Sequence, residues 1–199
     1  MLGVMDIASL IRDNYSTPER PPAPAALFVV QDFANAHFAE EPEDRGRAPE
    51  AMLKWLRRFD LVSTGAHLSA QDVRQVLAVR GALRSLLEAN DGHAADRKAI
   101  ESLNAAASRA PLVVRFERGT PRLRPAVGGI DAAIAQLLAA VTAAVADGTW
   151  ERLKICRADD CHWAFYDTSR NHSGAWCSMA GCGNRAKARA YRRRHPHRR

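Results

Sequence analysis

Cysteine is absent from the first 155 residues of this 199-residue chain, and no transmembrane helix is expected. The longest charge-free run, Ala132 to Ala146, spans fifteen residues and contains Gln136 and Thr142, short of the roughly twenty that a spanning helix needs. Met1 to Leu10 lacks the basic opening and long apolar stretch of an export signal, because Asp6 interrupts it. Also lacking are a metal site in the first 150 residues, a glycine-rich phosphate loop, and a nucleophile with an evident base partner in sequence. The expectation from these absences is a cytoplasmic protein with reduced thiols, no membrane span and no enzymatic activity.

Charge is unevenly placed. The chain carries +7 overall, yet residues 151–199 hold twelve Lys or Arg against four Asp or Glu, while residues 1–150 hold seventeen against eighteen. A basic segment joined to a near-neutral one implies a local surface for a polyanion.

All four cysteines fall in that segment, as Cys156-x4-Cys161 and Cys177-x4-Cys182 with fifteen residues between the pairs. Two close pairs are what a closed tetrahedral zinc site requires, each tight turn presenting two thiolates to one side of the ion. Two disulfides would need an oxidising compartment, and the absent export signal argues against one. An iron–sulfur cluster takes the same four thiols. His162 and His172 read as loop histidines beside a complete thiol set. Four protein thiolates leave no open coordination position, so the expected role is one structural Zn2+ per chain. A segment this small cannot close on its apolar core alone, which a metal clip remedies. Trp163 and Phe165 alternate as in a half-buried strand, and with Trp176 they form the expected core of this module. Stacking of one of these rings on a nucleic-acid base is the functional alternative.

After Cys182, Gly183 would let the backbone turn close to the metal and Asn184 is a candidate N-cap for an alanine- and arginine-rich helix. Arg185, Arg189, Arg192 and Arg193 recur at helical spacing and form one basic stripe. The candidate nucleic-acid contacts are Arg185, Lys187, Arg189, Arg192, Arg193 and Arg194, joined by Arg170 in the preceding turn, which has Asp167 as a competing partner.

Phe165-Tyr166-Asp167-Thr168-Ser169-Arg170-Asn171, Trp176-Cys177-Ser178-Met179 and Cys182-Gly183-Asn184-Arg185-Ala186-Lys187 resemble the signature of the CGNR zinc-finger family of bacterial transcription regulators. Family members usually carry a basic residue just before the Trp-Cys-Ser-Met string, where this chain has Ser173-Gly174-Ala175. The resemblance implies a helical amino-terminal domain called ABATE, associated with stress-induced regulation. Leu27 to Asn35 is similar to its entry segment, an apolar run leading into Asp-Phe-x-Asn, and Arg80-Gly81-Ala82-Leu83-Arg84 continues the likeness.

Taken in order, residues 1–24 read as a flexible Pro-rich arm, 25–150 as a helical ABATE-like domain serving as sensor or scaffold, and 151–199 as the zinc module. Within the second unit, helices are expected from Pro49 through Phe59, from Ser69 with Asp72 in a partial capping box, from Ala94 to Arg109 with Ile100, Leu103 and Ala107 inward, and from Asp131 to Ala146. Glu40 to Ala48 reads as a loop. Glu117-Arg118-Gly119-Thr120 joins two apolar runs as a hairpin, with Pro125 marking an edge strand. The fold class is therefore α+β: a mainly helical domain with a small hairpin, then a zinc-ribbon-like module ending in a basic helix.

Three polar groups in the helical unit stand out against apolar surroundings. Asp32 and Asn35 read as internal hydrogen-bonding groups or as part of a ligand pocket, and Arg80 as a snorkelling, ion-paired or anion-binding side chain. The short join before Cys156 sets the zinc module against the helical domain. Duplex DNA is the expected partner, with RNA or a protein as the alternative and a solubilising tail as the bland reading.

Overall fold

The computed structural model describes residues 20–38 and 48–195. The apolar segment after the prolines forms α1 (Leu27–Asn35), of whose nine residues seven are buried, Gln31 among them. A helix apolar around most of its circumference can only sit inside a core. The elements that follow pack onto it.

α2 (Ala48–Arg58) turns Met52, Trp55 and Leu56 inward. The Trp55 ring meets Phe33, Phe38 and Phe59 at centroid distances of 5.0, 5.9 and 4.8 Å, the tilted and edge-on geometry that aromatic quadrupoles favour. α3 (Ala70–Ala89) opens with a complete capping box: the Asp72 N–H donates to Ser69 Oγ, and the Ser69 N–H to Asp72 Oδ2. α4 (Arg97–Arg109) is capped by Asp96. Its face differs from expectation: Ala99 and Ala106 are buried, whereas Ile100 is 41% exposed and Ala107 is also outside. α4 lies along α3, and the smaller side chains let the two backbones approach while Leu103 stays half-buried.

β1 (Leu112–Glu117) and β2 (Thr120–Pro125) form an antiparallel hairpin with Val114 opposite Leu123. Arg118 and Gly119 both have positive φ, 48° and 80°, the two-residue turn whose twist matches the strands. α5 (Gly129–Ala146) is long and apolar enough to be weighed as a membrane span. Its Ile130, Ala133, Ile134, Leu137, Ala140 and Ala144 belong to the core around α1.

β3 (Leu153–Ile155) and β4 (Ala164–Tyr166) pair antiparallel, with Ile155 opposite Ala164. Leu153, Ile155 and Ala164 lie in the same hydrophobic core as α1. The boundary drawn between residues 150 and 151 thus crosses continuous packing: β4 rests on α1 and β3 on α3. Polar bonds reinforce the contact. The Asn35 amide pairs with Ala164 as a neighbouring strand would, Oδ1 accepting its N–H at 2.7 Å and Nδ2 donating to its carbonyl at 2.9 Å. Asn90 Nδ2 donates to the carbonyls of Trp150 and Leu153. Arg84 donates to Ala34 O and His162 O, each at 2.7 Å, tying the carboxy end of α1 to the first knuckle.

A second, smaller cluster comprises Cys156, Ala158, Phe165, Cys177 and Cys182, with Trp163 and Trp176 half-buried against it. Residues 1–19 of the arm and residues 40–47 of the expected loop lie outside the described residues, and Ala48, its last residue, opens α2. Of residues 20–24, the described end of the arm, Ala23 is buried while Pro21 and Pro24 are exposed. The Ala23 N–H donates to Gln31 Oε1 at 2.7 Å, and the Arg20 guanidinium lies 4.8 Å from the Phe165 ring centroid.

Candidate functional site

β3 runs directly into Cys156, whose N–H donates to Trp163 O at 2.9 Å, closing the first knuckle back onto the start of β4. The next residue reaches the second knuckle, Arg157 N–H donating to Ala175 O at 3.0 Å. The Sγ atoms of Cys156, Cys161, Cys177 and Cys182 converge within 4.8 Å of one another, with Cys161–Cys177 and Cys177–Cys182 at 3.6 Å. A tetrahedral ion with Zn–S bonds of about 2.3 Å places its sulfurs about 3.8 Å apart, so this donor set fits one structural zinc. Neither His162 nor His172 belongs to the cluster. Without a cation, the hydrogen bond from Cys177 holds the Cys156 thiol down at about 5, while burial pushes Cys182 up to about 11.

The second knuckle departs from expectation in one respect. Asn184 is not an N-cap: Ser178 caps a wide π turn, Met179–Gly183, by accepting the Gly181 N–H at 2.9 Å, and α6 (Asn184–Arg194) continues from it. Gly183 has helical φ, −61°, so its value is space. A Cβ there would lie 2.8 Å from Met179 Sδ and 3.2 Å from Trp176 Cδ1.

The turn between the knuckles is organised by Asp167, which is fully buried. Its carboxylate accepts N–H bonds from Ser169 at 3.0 Å and Gly174 at 2.7 Å, and pairs with Lys154 at 3.2 Å and Arg20 at 3.3 Å. Burial pushes its acidity down, but these donors more than offset that and hold the carboxyl below the usual carboxylate range. Lys154, only 3% exposed, has Asp91 at 3.8 Å as a second counter-ion. Gly174 stands where a Cβ would fall 2.5 Å from Asp167 Oδ1. In this chain the position before the Trp-Cys string is thus shaped around a buried carboxylate. Arg170, free of Asp167, is exposed on the turn.

The basic residues of α6 fall into two sets. Arg185 and Arg189 lean onto the first knuckle, 3.5 and 3.7 Å from Asp160, and Arg185 Nη2 also donates to Cys182 Sγ at 3.2 Å. Lys187, Arg192, Arg193 and Arg194 are exposed and have no ion-pair partner among the described residues. The stripe read from periodicity is therefore half spent on docking the helix to the metal knuckle.

A cavity of about 270 Å³ lies between α1, α2 and the first knuckle, and Asp32, Asn35, Trp55, Arg58 and Trp163 help line it. Asp32 Oδ1 accepts the Trp55 indole N–H at 2.7 Å, and Oδ2 is 3.5 Å from Arg58. Burial raises its pKa, against the opposing pull of Trp55 and Arg58. The Asn35 amide is committed to Ala164. Arg80 is elsewhere, donating to the carbonyls of Phe33 and Ala34 and so capping α1 in the way cations suit a helix carboxy end. Arg58 and Trp163 were not singled out in sequence for this place: Arg58 looks like a solvated cation in the last turn of α2, and Trp163 like core of the zinc module.

Comparison with family models agrees with this anatomy. The ABATE model, described as "Putative stress-induced transcription regulator", matches residues 28–149, and the model described as CGNR zinc finger matches residues 152–195. Comparison with curated proteins finds no match. With the first match covering more than half of the chain and the second covering the four-cysteine knuckles, this protein belongs to the ABATE family and carries a CGNR zinc finger.

Proposed function

We propose that this protein regulates transcription by binding duplex DNA in the bacterial cytoplasm through α6, with zinc fixing that helix to the helical core, and without catalysing a reaction. The observation that carries this reading is the exposed set Lys187, Arg192, Arg193 and Arg194 on a helix that starts at a zinc-ligand knuckle. Guanidinium groups neutralise phosphates and also donate bidentately to guanine edges, so one rigid helix supplies both affinity and register. Arg170 on the neighbouring turn extends the basic surface. Arg185 and Arg189, engaged with Asp160, serve mainly to orient the helix.

The test is fluorescence anisotropy of the zinc-loaded protein on duplex DNA and on single-stranded RNA across a salt series. Duplex preference is expected, with a log–log salt slope of several units; each lost phosphate contact lowers the slope by about 0.9. Arg192→Ala with Arg193→Ala should therefore reduce it by roughly two units, and Arg185→Ala with Arg189→Ala by clearly less. Equal binding by the Arg192/Arg193 double variant would remove α6 as the DNA-contacting element. Preference for single strands would move the reading to RNA.

A further inference from the structure

Buried polar atoms in folded proteins nearly always find partners, and the exceptions call for explanation. Among the described residues, the only buried side-chain nitrogens without a hydrogen-bond partner are Arg58 Nε, Arg58 Nη2 and Trp163 Nε1. All three belong to residues lining the same 270 Å³ cavity. Arg58 Nη2 does approach Asp32 Oδ2 at 3.5 Å, but without hydrogen-bond geometry, so its donors are still unspent.

The remaining walls state what else the cavity would take. Phe28, Phe38, Trp55 and Trp163 supply aromatic surface. The ionisable groups are Lys54, Arg58 and His37 against the single carboxylate Asp32, whose oxygens already face Trp55 and Arg58. Asn35 spends its amide on Ala164. The cavity thus combines apolar rings with an excess of positive charge and unsatisfied N–H donors, while Asp32 Oδ1 and the Asn35 amide already hold partners. Its volume is just under the roughly 300–1,000 Å³ of sites for drug-sized molecules, which suits one or two rings.

We propose that this cavity is a binding site for a small aromatic carboxylate, whose rings lie among Phe28, Phe38 and Trp55 and whose carboxylate accepts from Arg58 and the Trp163 indole. The geometry joins the two family segments at this point. Asp32, Trp55 and Arg58 come from the ABATE segment, while Trp163 comes from the zinc finger, two residues after Cys161 and with its carbonyl accepting the Cys156 N–H. A carboxylate bridging Arg58 and Trp163 ties the first knuckle to α2 and should slow loss of zinc. This site does not depend on α6 binding DNA, and its test uses no nucleic acid.

The experiment uses the full zinc-loaded chain with benzoate, salicylate and indole-3-acetate as probes and benzamide as the uncharged control. Binding is read from the indole N–H resonances of Trp163 and Trp55 and by titration calorimetry, and zinc loss from the rate of transfer to a chromogenic chelator. At least one carboxylate should bind with a sub-millimolar Kd, move the Trp163 resonance, and slow zinc transfer at least twofold. Benzamide should bind at least tenfold more weakly. Trp163→Phe keeps the ring and removes the donor, and should weaken the carboxylate about five- to tenfold; Arg58→Gln should weaken it more than tenfold. Should Arg58→Gln misfold, Trp163→Phe carries the test alone. Equal affinity for benzamide and benzoate, or an unmoved Trp163 resonance with every carboxylate at 10 mM, overturns the proposal.

Discussion

Replacing Asp167 by alanine tests the charge network under the zinc knuckles most directly. The substitution removes four interactions at once: N–H bonds from Ser169 and Gly174 at 3.0 and 2.7 Å, and ion pairs with Lys154 and Arg20 at 3.2 and 3.3 Å. Lys154 then stays buried, 3% exposed, with Asp91 at 3.8 Å as its remaining carboxylate. Breaking a buried pair from one side costs about 3–5 kcal/mol when the other charge is stranded; Asp91 brings this toward the lower end. Two backbone donors left without acceptors add about 1 kcal/mol each. The sum is about 5 kcal/mol, a large part of the stability of a domain this size. Asp167→Asn keeps one oxygen for the N–H groups and should cost about 2 kcal/mol less. Asp167→Ala combined with Lys154→Met removes both charges and should recover more than half of the loss, because a hydrophobic pair substitutes well for a buried ionic one. The assay is urea unfolding of the zinc-loaded protein at pH 7, followed by tryptophan fluorescence. A loss below 1 kcal/mol for Asp167→Ala, or no recovery in the double variant, would refute the reasoning. The pH dependence has a definite sign. The folded Asp167 titrates below its unfolded value of about 3.9, so its contribution is full above that value and fades as pH falls toward the depressed folded one.

Gly174→Ala drives a Cβ to 2.5 Å from Asp167 Oδ1, so its loss in urea unfolding should approach that of Asp167→Ala; Gly183→Ala meets the movable end of Met179 at 2.8 Å and should cost only about 1 kcal/mol. Asn35→Ala strips Ala164, which is fully buried, of its N–H partner and leaves its carbonyl to Gln31 at 3.3 Å; about 2–3 kcal/mol should be lost, read as a lower denaturation midpoint. Removing zinc with a chelator should release α6 and the second knuckle while β3 and β4 stay folded, since Leu153, Ile155 and Ala164 sit in the core around α1. Hydrogen exchange by amide would show this as fast exchange confined to residues after Cys156, sparing Phe165; exchange spreading through α1 and α3 would contradict it.

The zinc site was legible in the chain because its chemistry is local. Paired cysteines at x4 spacing place ligands through short turns, and the strings around them carry a recognisable family pattern. Periodicity and capping located the helices for the same reason, the box at Ser69 and Asp72 being three residues long. Helical spacing allows two inward faces for α4, and packing against α3 selects the one with Ala99 and Ala106. Asn184 reads locally as a cap, yet the π turn Met179–Gly183, capped by Ser178, already leads into the helix.

What the sequence by itself determined is therefore the metal ligand set, the order of elements, and the concentration of positive charge in the last quarter of the chain. Tertiary structure alone decided which charges are free. Asp160 claims Arg185 and Arg189, Asp167 claims Lys154 and Arg20, and Asn35 reaches 129 residues along the chain to Ala164. It also decided that Arg58 and Trp163 share a cavity, and that the zinc finger rests on the helical core. The physical reason is that helix periods and metal turns are encoded within a few residues, whereas a counter-ion or a cavity wall is chosen by packing between segments far apart in the chain.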